Sequence, residues 1–470
     1  MKSTSVRHLK ASASGDLGQG QKFWRSRLTF FMASVGFAVG LGNIWKFPYV
    51  TGENGGGVFV LVYLLCAFSI GVPILMAEIL IGRRGQQSPD VSMAKIAQEE
   101  GVSSNWHWLG TMTMFTAFLI LIIYCVISGW VLQYLFFSIS NEFSGFSHDN
   151  ATSLFALVLA DPISMLFWTA LSLGFTAFIV SAGLQNGIER AVTVLMPMLF
   201  FLLVVMVGYA AYAGDFKQAI NFLFTPNFSK ISAATVLVAV GQAFFSIGVA
   251  MAAMMTYGAY LPKRVSIGRS ALMIVFADTL VALLAGLAIF PLVFQHGLDP
   301  QGGPGLIFEA LPLAFAHMPA GHLFSIVFFT LLSVAAITSM VGLLEPLVSG
   351  VEARVGIDRR KSAWACCGIV LVLSVSSILS YSHWQGVSPL AWLPCLDGKN
   401  ITDVIGFLTD QITLPVGGLL IAVFAGWVMP QSSTREELAL NPRVYDIWRF
   451  LIRYIAPIAV LVILLLGITE

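Results

Sequence analysis

Asp278 stands in the run IVFADTLVALLAG, where its neighbours are almost all apolar. A carboxylate at mid-depth in hydrocarbon costs about 3 kcal/mol on insertion scales unless something compensates it, so its presence marks a candidate functional site. Asn43 lies in SVGFAVGLGNIWKFPY and Ser246 in GQAFFSIGVAMAAMMTYGAY, again among apolar residues. Thr338 and Ser339 follow Ala335 by three and four residues, which places all three on one side of a helix. Alone, such hydroxyls usually bond a carbonyl of the preceding turn. Together these residue types offer oxygen atoms for binding, and no machinery for making or breaking bonds. His8, His107, His148, His296, His317, His322 and His383 all fall outside the centres of apolar runs, and neither HExxH nor GxSxG occurs. Cys66, Cys125, Cys366 and Cys367 sit in apolar runs and Cys395 in a loop, without CxxC spacing, and read as packing residues.

The elements that carry these groups must be membrane helices. Of 470 residues 57% are hydrophobic and 10% charged, against about 25% charged in an ordinary soluble protein. Apolar stretches long enough to span a bilayer lie near 28–50, 57–82, 107–140, 163–183, 189–213, 233–261, 267–296, 322–354, 363–382, 405–429 and 447–468. The reading is therefore an all-α polytopic membrane protein with about eleven spans, and the connections 141–162 and 297–321 are long enough for short helices of their own. A net charge of +1 argues against a nucleic-acid partner. With the amino terminus inside, 21 of the 25 lysines and arginines fall on the cytoplasmic side, leaving Lys46, Lys217, Lys230 and Lys399 outside. The positive-inside rule then gives a cytoplasmic amino terminus, with residues 1–25 as a polar tail, and an extracytoplasmic carboxyl terminus.

Two spans should be broken. Gly36, Gly40 and Gly42 with Asn43 interrupt the first, and Gln242, Ser246 and Gly248 the sixth. Unwound backbone at that depth is tolerable only where it lines a cavity, since lipid supplies no hydrogen-bond partners. Spans one and six occupy equivalent places in a chain that divides as five plus five plus one: 26–213, 232–430 and 447–470. Five spans is an odd number, so the halves insert in opposite orientation, and a matched pair of interrupted helices in inverted halves points to a central transport site.

The residues Trp24, Arg27 and Leu28, GFAVGLGNIWKFPY at 36–49 and ENGGG at 53–57 strongly resemble the neurotransmitter:sodium symporters, in particular their prokaryotic amino-acid branch. The likeness continues through GVPILMAEILIGRRG at 71–85, GIERAVTVLMPMLF at 187–200, GQAFFS at 241–246, DTLVALLAGLAIFP at 278–291 and AAITSMVGLLEP at 335–346, covering about 24–455. The resemblance implies a five-plus-five inverted-repeat fold of the leucine-transporter type in the plasma membrane, bacterial inner membrane included, and Na⁺-coupled import of an amino acid or related zwitterion by alternating access. It implies two sodium sites. Ala38, Asn43, Ser246 and Asp278 would form the first, and Gly36, Val39, Ala335, Thr338 and Ser339 the second. The substrate carboxylate would meet Leu41, Gly42 and Tyr124. Its ammonium group would meet carbonyls of Ala38, Phe245 and Ser246, with Gly40 standing where monoamine carriers have Asp. Phe37, Ile120, Phe245, Gly248, Met251, Ser339 and Leu343 would line the side-chain pocket, leaving aliphatic, aromatic and small ω-amino acids all open.

The gates depart from the family pattern. On the outside Lys46 and Gly406 take the usual Arg and Asp positions, with Asp403 one turn earlier. On the inside Trp24 and Tyr260 are retained, while Gln21 beside Lys22 and Ala353 beside Glu352 replace the usual ion pair. Chloride-dependent relatives hold the anion with residues whose counterparts are Tyr63, Gln242, Ser246 and Ala282, so one hydroxyl is missing and Asp278 supplies a fixed negative charge instead. No chloride requirement is expected. The alternative is a proton-coupled carrier, or a transport-inactive sensor, of the same fold.

Overall fold

A computed structural model describes residues 23–300, 303 and 305–469. Among the described residues every regular element is helical. Eight helices are long and apolar enough to cross a membrane: Gly57–Gly85, Ser104–Ile139, Pro162–Ser181, Leu184–Ala213, Ile267–Gln295, Gly321–Val355, Arg359–Ser380 and Ile401–Val428. A ninth crossing is made by Arg27–Ala38 and Gly42–Glu53, bent by 48° to each other. The sixth expected span is present as two shorter helices, Ala233–Ile247 and Ala253–Ala259, and the last begins at Pro442 and runs on through Ala456–Thr469. Both long connections carry helices, His148–Ala160 and Leu306–His317. Three further short helices, Pro89–Glu99, Phe216–Phe224 and Gln431–Leu438, were not anticipated.

The first span starts at a capping box, in which Ser26 accepts from the Thr29 amide and the Thr29 hydroxyl accepts from the Ser26 amide. It stops at Val39, whose extended backbone (ψ 91°) turns its carbonyl out of the helical ladder. Helix resumes only after Leu41, with a wide turn over Gly42–Lys46. Between them the Asn43 side chain accepts from the Gly40 amide at 3.3 Å, giving the unwound backbone one of the partners it needs. The sixth span breaks one turn later than Gln242 and Ser246 suggest: those two remain helical, and the interruption covers 248–252. Gly248, Ala250 and Ala252 all have positive φ (72°, 62° and 60°), which for alanine is costly and persists only when surroundings enforce it. Enforcement comes from the second span, whose buried Glu78 accepts the Ala250 N–H at 2.6 Å.

Small residues let these pieces approach closely. A Cβ on Gly82 would run into the Met255 carbonyl, and one on Gly258 would lie 2.7 Å from the Ile79 carbonyl oxygen, so the second span grips the inner half of the sixth through backbone contact. The first span lies against the long eighth helix and the fifth at the centre of the bundle, where the two breaks face each other.

Candidate functional site

The breaks enclose a cavity of about 20 Å³ lined by Phe37, Ala38, Gly40, Gly42, Ile120, Tyr124, Phe245, Gly248, Met251, Ser339 and Leu343. All eleven belong to the set expected from sequence. The other two, Leu41 and Ser246, adjoin it: the Leu41 N–H donates to the Tyr124 hydroxyl at 2.9 Å, and Ser246 follows Phe245 on the sixth span. A Cβ on Gly40 would lie 2.5 Å from the Tyr124 oxygen and would collide with the Ser339 hydroxyl. A side chain there would have to displace both hydroxyls, and as it stands the polar end of the cavity is built from main chain and hydroxyls.

Beside it lies the first oxygen cluster. Asp278 is fully buried. Its Oδ1 accepts from Asn43 Nδ2 at 2.7 Å and its Oδ2 from Ser246 Oγ at 2.7 Å, with the Tyr63 hydroxyl 3.4 Å from Oδ2 and 3.2 Å from Ser246. Gln242 Nε2 donates to the Gly42 carbonyl at 2.9 Å, tying the sixth span to the first break. The site is thus one charge surrounded by neutral groups, each of which can also present oxygen. Such a hard, oxygen-only set with a single carboxylate fits a monovalent cation such as Na⁺.

The second cluster joins the eighth helix to the first. Ser339 Oγ donates to the Phe37 carbonyl at 2.9 Å and lies 3.5 Å from the Gly36 carbonyl. Thr338 Oγ1 turns back to the carbonyls of Val334 and Ala335 at 2.9 and 3.1 Å, the ordinary partner of a helical threonine. A Cβ on Gly36 would stand 3.5 Å from that of Thr338, so the two helices touch here. With the freed Val39 carbonyl at the helix end, the five residues expected to form a second site lie along one seam, again offering only oxygen.

Over residues 21–153 and 160–470 the sequence matches the family described as the Sodium:neurotransmitter symporter family. The chain belongs to the sodium:neurotransmitter symporter family. Among its relatives, an uncharacterized sodium-dependent transporter of Bacillus subtilis is 35% identical over 450 residues, 94% of this chain and 96% of the relative. Another, from Haemophilus influenzae, is 33% identical over 94% of this chain and 96% of its own length. The crystal structure of MhsT in complex with L-phenylalanine superposes with a TM-score of 0.88 at 39% identity, covering 95% of this chain and 99% of that one. The symporter is accordingly a sodium-dependent secondary transporter and not an enzyme, an integral membrane protein with the leucine-transporter-type inverted-repeat fold.

Where the symporter's gates are concerned, the structure corrects one expectation. Lys46 pairs with Asp410 at 2.9 Å, not with Asp403, which closes a capping box with Asn400 at the start of its helix. Asp410 stands four residues after Gly406, one turn on along the same helix face, within the wide turn Leu408–Thr413. Lys46 Nζ also sits 4.1 Å over the Phe245 ring, so the pair rests on the roof of the central cavity. Cavities of about 160 and 250 Å³ flank this pair, and the smaller shares Gly42, Ile120, Tyr124 and Phe245 with the central one.

The opposite end is sealed. Trp24 donates from its indole to the Tyr257 carbonyl at 2.9 Å and from its amide to the Tyr260 carbonyl at 3.1 Å, with its ring edge-to-face on Tyr260. The Tyr260 hydroxyl donates to Glu345 at 3.0 Å, Glu345 is ion-paired with Arg359, and Arg359 also reaches Glu352 at 3.2 Å and the Val180 carbonyl at 3.0 Å. Buried Glu189 accepts from the Arg25 amide at 2.7 Å and the Thr29 hydroxyl at 3.1 Å. Glu352 was anticipated; Glu345, Arg359 and Glu189 were not, although Glu345 in VGLLEPLV carries the same signal that singled out Asp278. Gln21 and Lys22 lie outside the described residues.

Proposed function

We propose that this symporter imports an amino acid, or a closely related zwitterion, together with Na⁺ and without a chloride requirement. The observation that carries the reading is the meeting of the Leu41 N–H and the Tyr124 hydroxyl over Gly40, at the start of the second half-helix and next to Asn43, Ser246 and Asp278. A helix amino terminus favours a carboxylate through its free N–H groups and dipole. In this reading the substrate carboxylate takes the place of the Leu41 to Tyr124 hydrogen bond, and Ala38, Phe245 and Ser246 carbonyls receive the ammonium group. Co-transported Na⁺ binds at Ala38, Asn43, Ser246 and Asp278, and at Gly36, Val39, Ala335, Thr338 and Ser339. Asp278 lies within reach of Tyr63 and Ser246, the counterparts of chloride ligands in other members, and a chloride there would face its like charge at close range. The halves 26–213 and 232–430 rock about the site, with the Trp24 end and residues 1–25 in the cytoplasm.

Uptake of labelled amino acids into proteoliposomes tests this. Accumulation should follow an inward Na⁺ gradient, vanish in K⁺ or choline, and persist when gluconate replaces chloride. Equal uptake in all three cations would sink the sodium sites, and loss in gluconate would sink the role of Asp278.

A further inference from the structure

The central cavity is small because of one residue. Phe37 is buried with its ring between two glycines on different spans. A Cβ on Gly248, which has φ +72°, would come within 2.7 Å of the ring's Cζ and collide with Cε1. A Cβ on Gly342 would come within 2.7 Å of Cγ and collide with Cδ2. The ring therefore fills the room that both glycines vacate, and Ser339 holds its main chain through the Phe37 carbonyl at 2.9 Å. The volume that Gly248 leaves is thus already occupied.

What remains is about 20 Å³, little more than the 10–15 Å³ that one water needs. Space can be gained on the roof side, where Phe245 separates the cavity from the 160 Å³ space beneath Lys46. That side serves the carboxylate, next to Leu41 and Tyr124. On the far side, between Gly248 and Gly342, the room a side chain would take is held by the ring. We infer that Phe37, framed by Gly248 and Gly342, restricts the substrate to amino acids with no side chain larger than a methyl or hydroxymethyl group. This rests on the amino-acid reading above and narrows it. It sets the chain apart from MhsT, which was solved with L-phenylalanine.

The test measures displacement of labelled alanine from the purified full chain in NaCl by glycine, alanine, serine, leucine, phenylalanine and tryptophan, with thermal unfolding as a second readout and MhsT as the control for phenylalanine. Methylene groups that a rigid pocket refuses discriminate by about 10–200-fold each. The three small amino acids should compete at least about tenfold better than the three large ones. In Phe37→Ala, leucine and phenylalanine should gain about tenfold or more relative to alanine. Phe37→Leu, which keeps most of the apolar volume, should move the same way by less and guards against a variant that fails to fold. Phenylalanine or tryptophan matching alanine in the wild-type chain overturns the inference while leaving amino-acid transport intact, as does an unchanged ranking in both variants. If no amino acid of any size binds either the wild type or the variants, the amino-acid reading falls and this inference with it.

Discussion

Replacing Arg359 with glutamine should loosen the seal at the Trp24 end by a calculable amount. Glu345 has 0% of its side chain exposed and Arg359 only 19%, and the carboxylate's other partner is the Tyr260 hydroxyl. Removing one member of a buried ion pair typically costs 3–5 kcal/mol, because the remaining charge stays desolvated. In a conformation open at the Trp24 end water would reach Glu345, so most of that penalty applies only to the sealed state. A differential of about 3 kcal/mol is about a hundredfold in the equilibrium between sealed and open. Hydrogen exchange at the amides of Met254–Leu261 reports the opening directly, and Arg359→Gln should raise their exchange rates by about that factor while external substrate affinity falls. The double variant Arg359→Gln, Glu345→Gln removes both charges and should recover much of the protection, since no unpaired charge is left. A single variant with wild-type exchange at this segment, or a double variant more exposed than the single one, would refute the reasoning.

Tyr124→Phe should weaken substrate binding about tenfold to over a hundredfold, the worth of a charge-assisted hydrogen bond of about 1.5–3 kcal/mol; wild-type affinity in a sodium-saturated titration would remove Tyr124 from the site. Asp278→Asn should abolish or cripple uptake, and adding Ala282→Ser should restore it only when chloride is present; a double variant active in gluconate contradicts the assignment of the fixed charge. Lys46→Met should reduce external affinity by less than about fivefold, because a partly exposed ion pair is worth about 0–1 kcal/mol, and a loss beyond a hundredfold would show that Lys46 touches substrate.

The break in the first span was legible because three glycines and an asparagine announce it in the chain itself, whereas the cavity lining was expected from the family resemblance, and those residues lie together around the breaks. In the sixth span Gly248 does open the break, but Gln242 and Ser246 ahead of it stay helical. Ala250 and Ala252 carry no propensity for positive φ, and what bends the chain there is Glu78 on another span. Asp410 escaped for a different reason: the family resemblance pointed to Gly406 and to Asp403 one turn earlier, whereas the partner of Lys46 stands one turn later on the same face. Gly342 drew no attention because its importance exists only in relation to the Phe37 ring. Local conformation is written locally, whereas volume and register are settled by parts of the chain far apart in sequence.

The two ends of the symporter differ in how they respond to dissolved salt. Lys46 and Asp410 retain 24% and 37% of their side-chain exposure, so mobile ions can enter between them and the surrounding field. With a screening length of about 8 Å at physiological ionic strength, an exposed pair weakens steadily as salinity rises. Glu345 is beyond the reach of those ions. A change of salt at the Lys46 end would thus retune how readily that end opens, while the seal at the Trp24 end, centred on a carboxylate that solvent does not reach, would respond less.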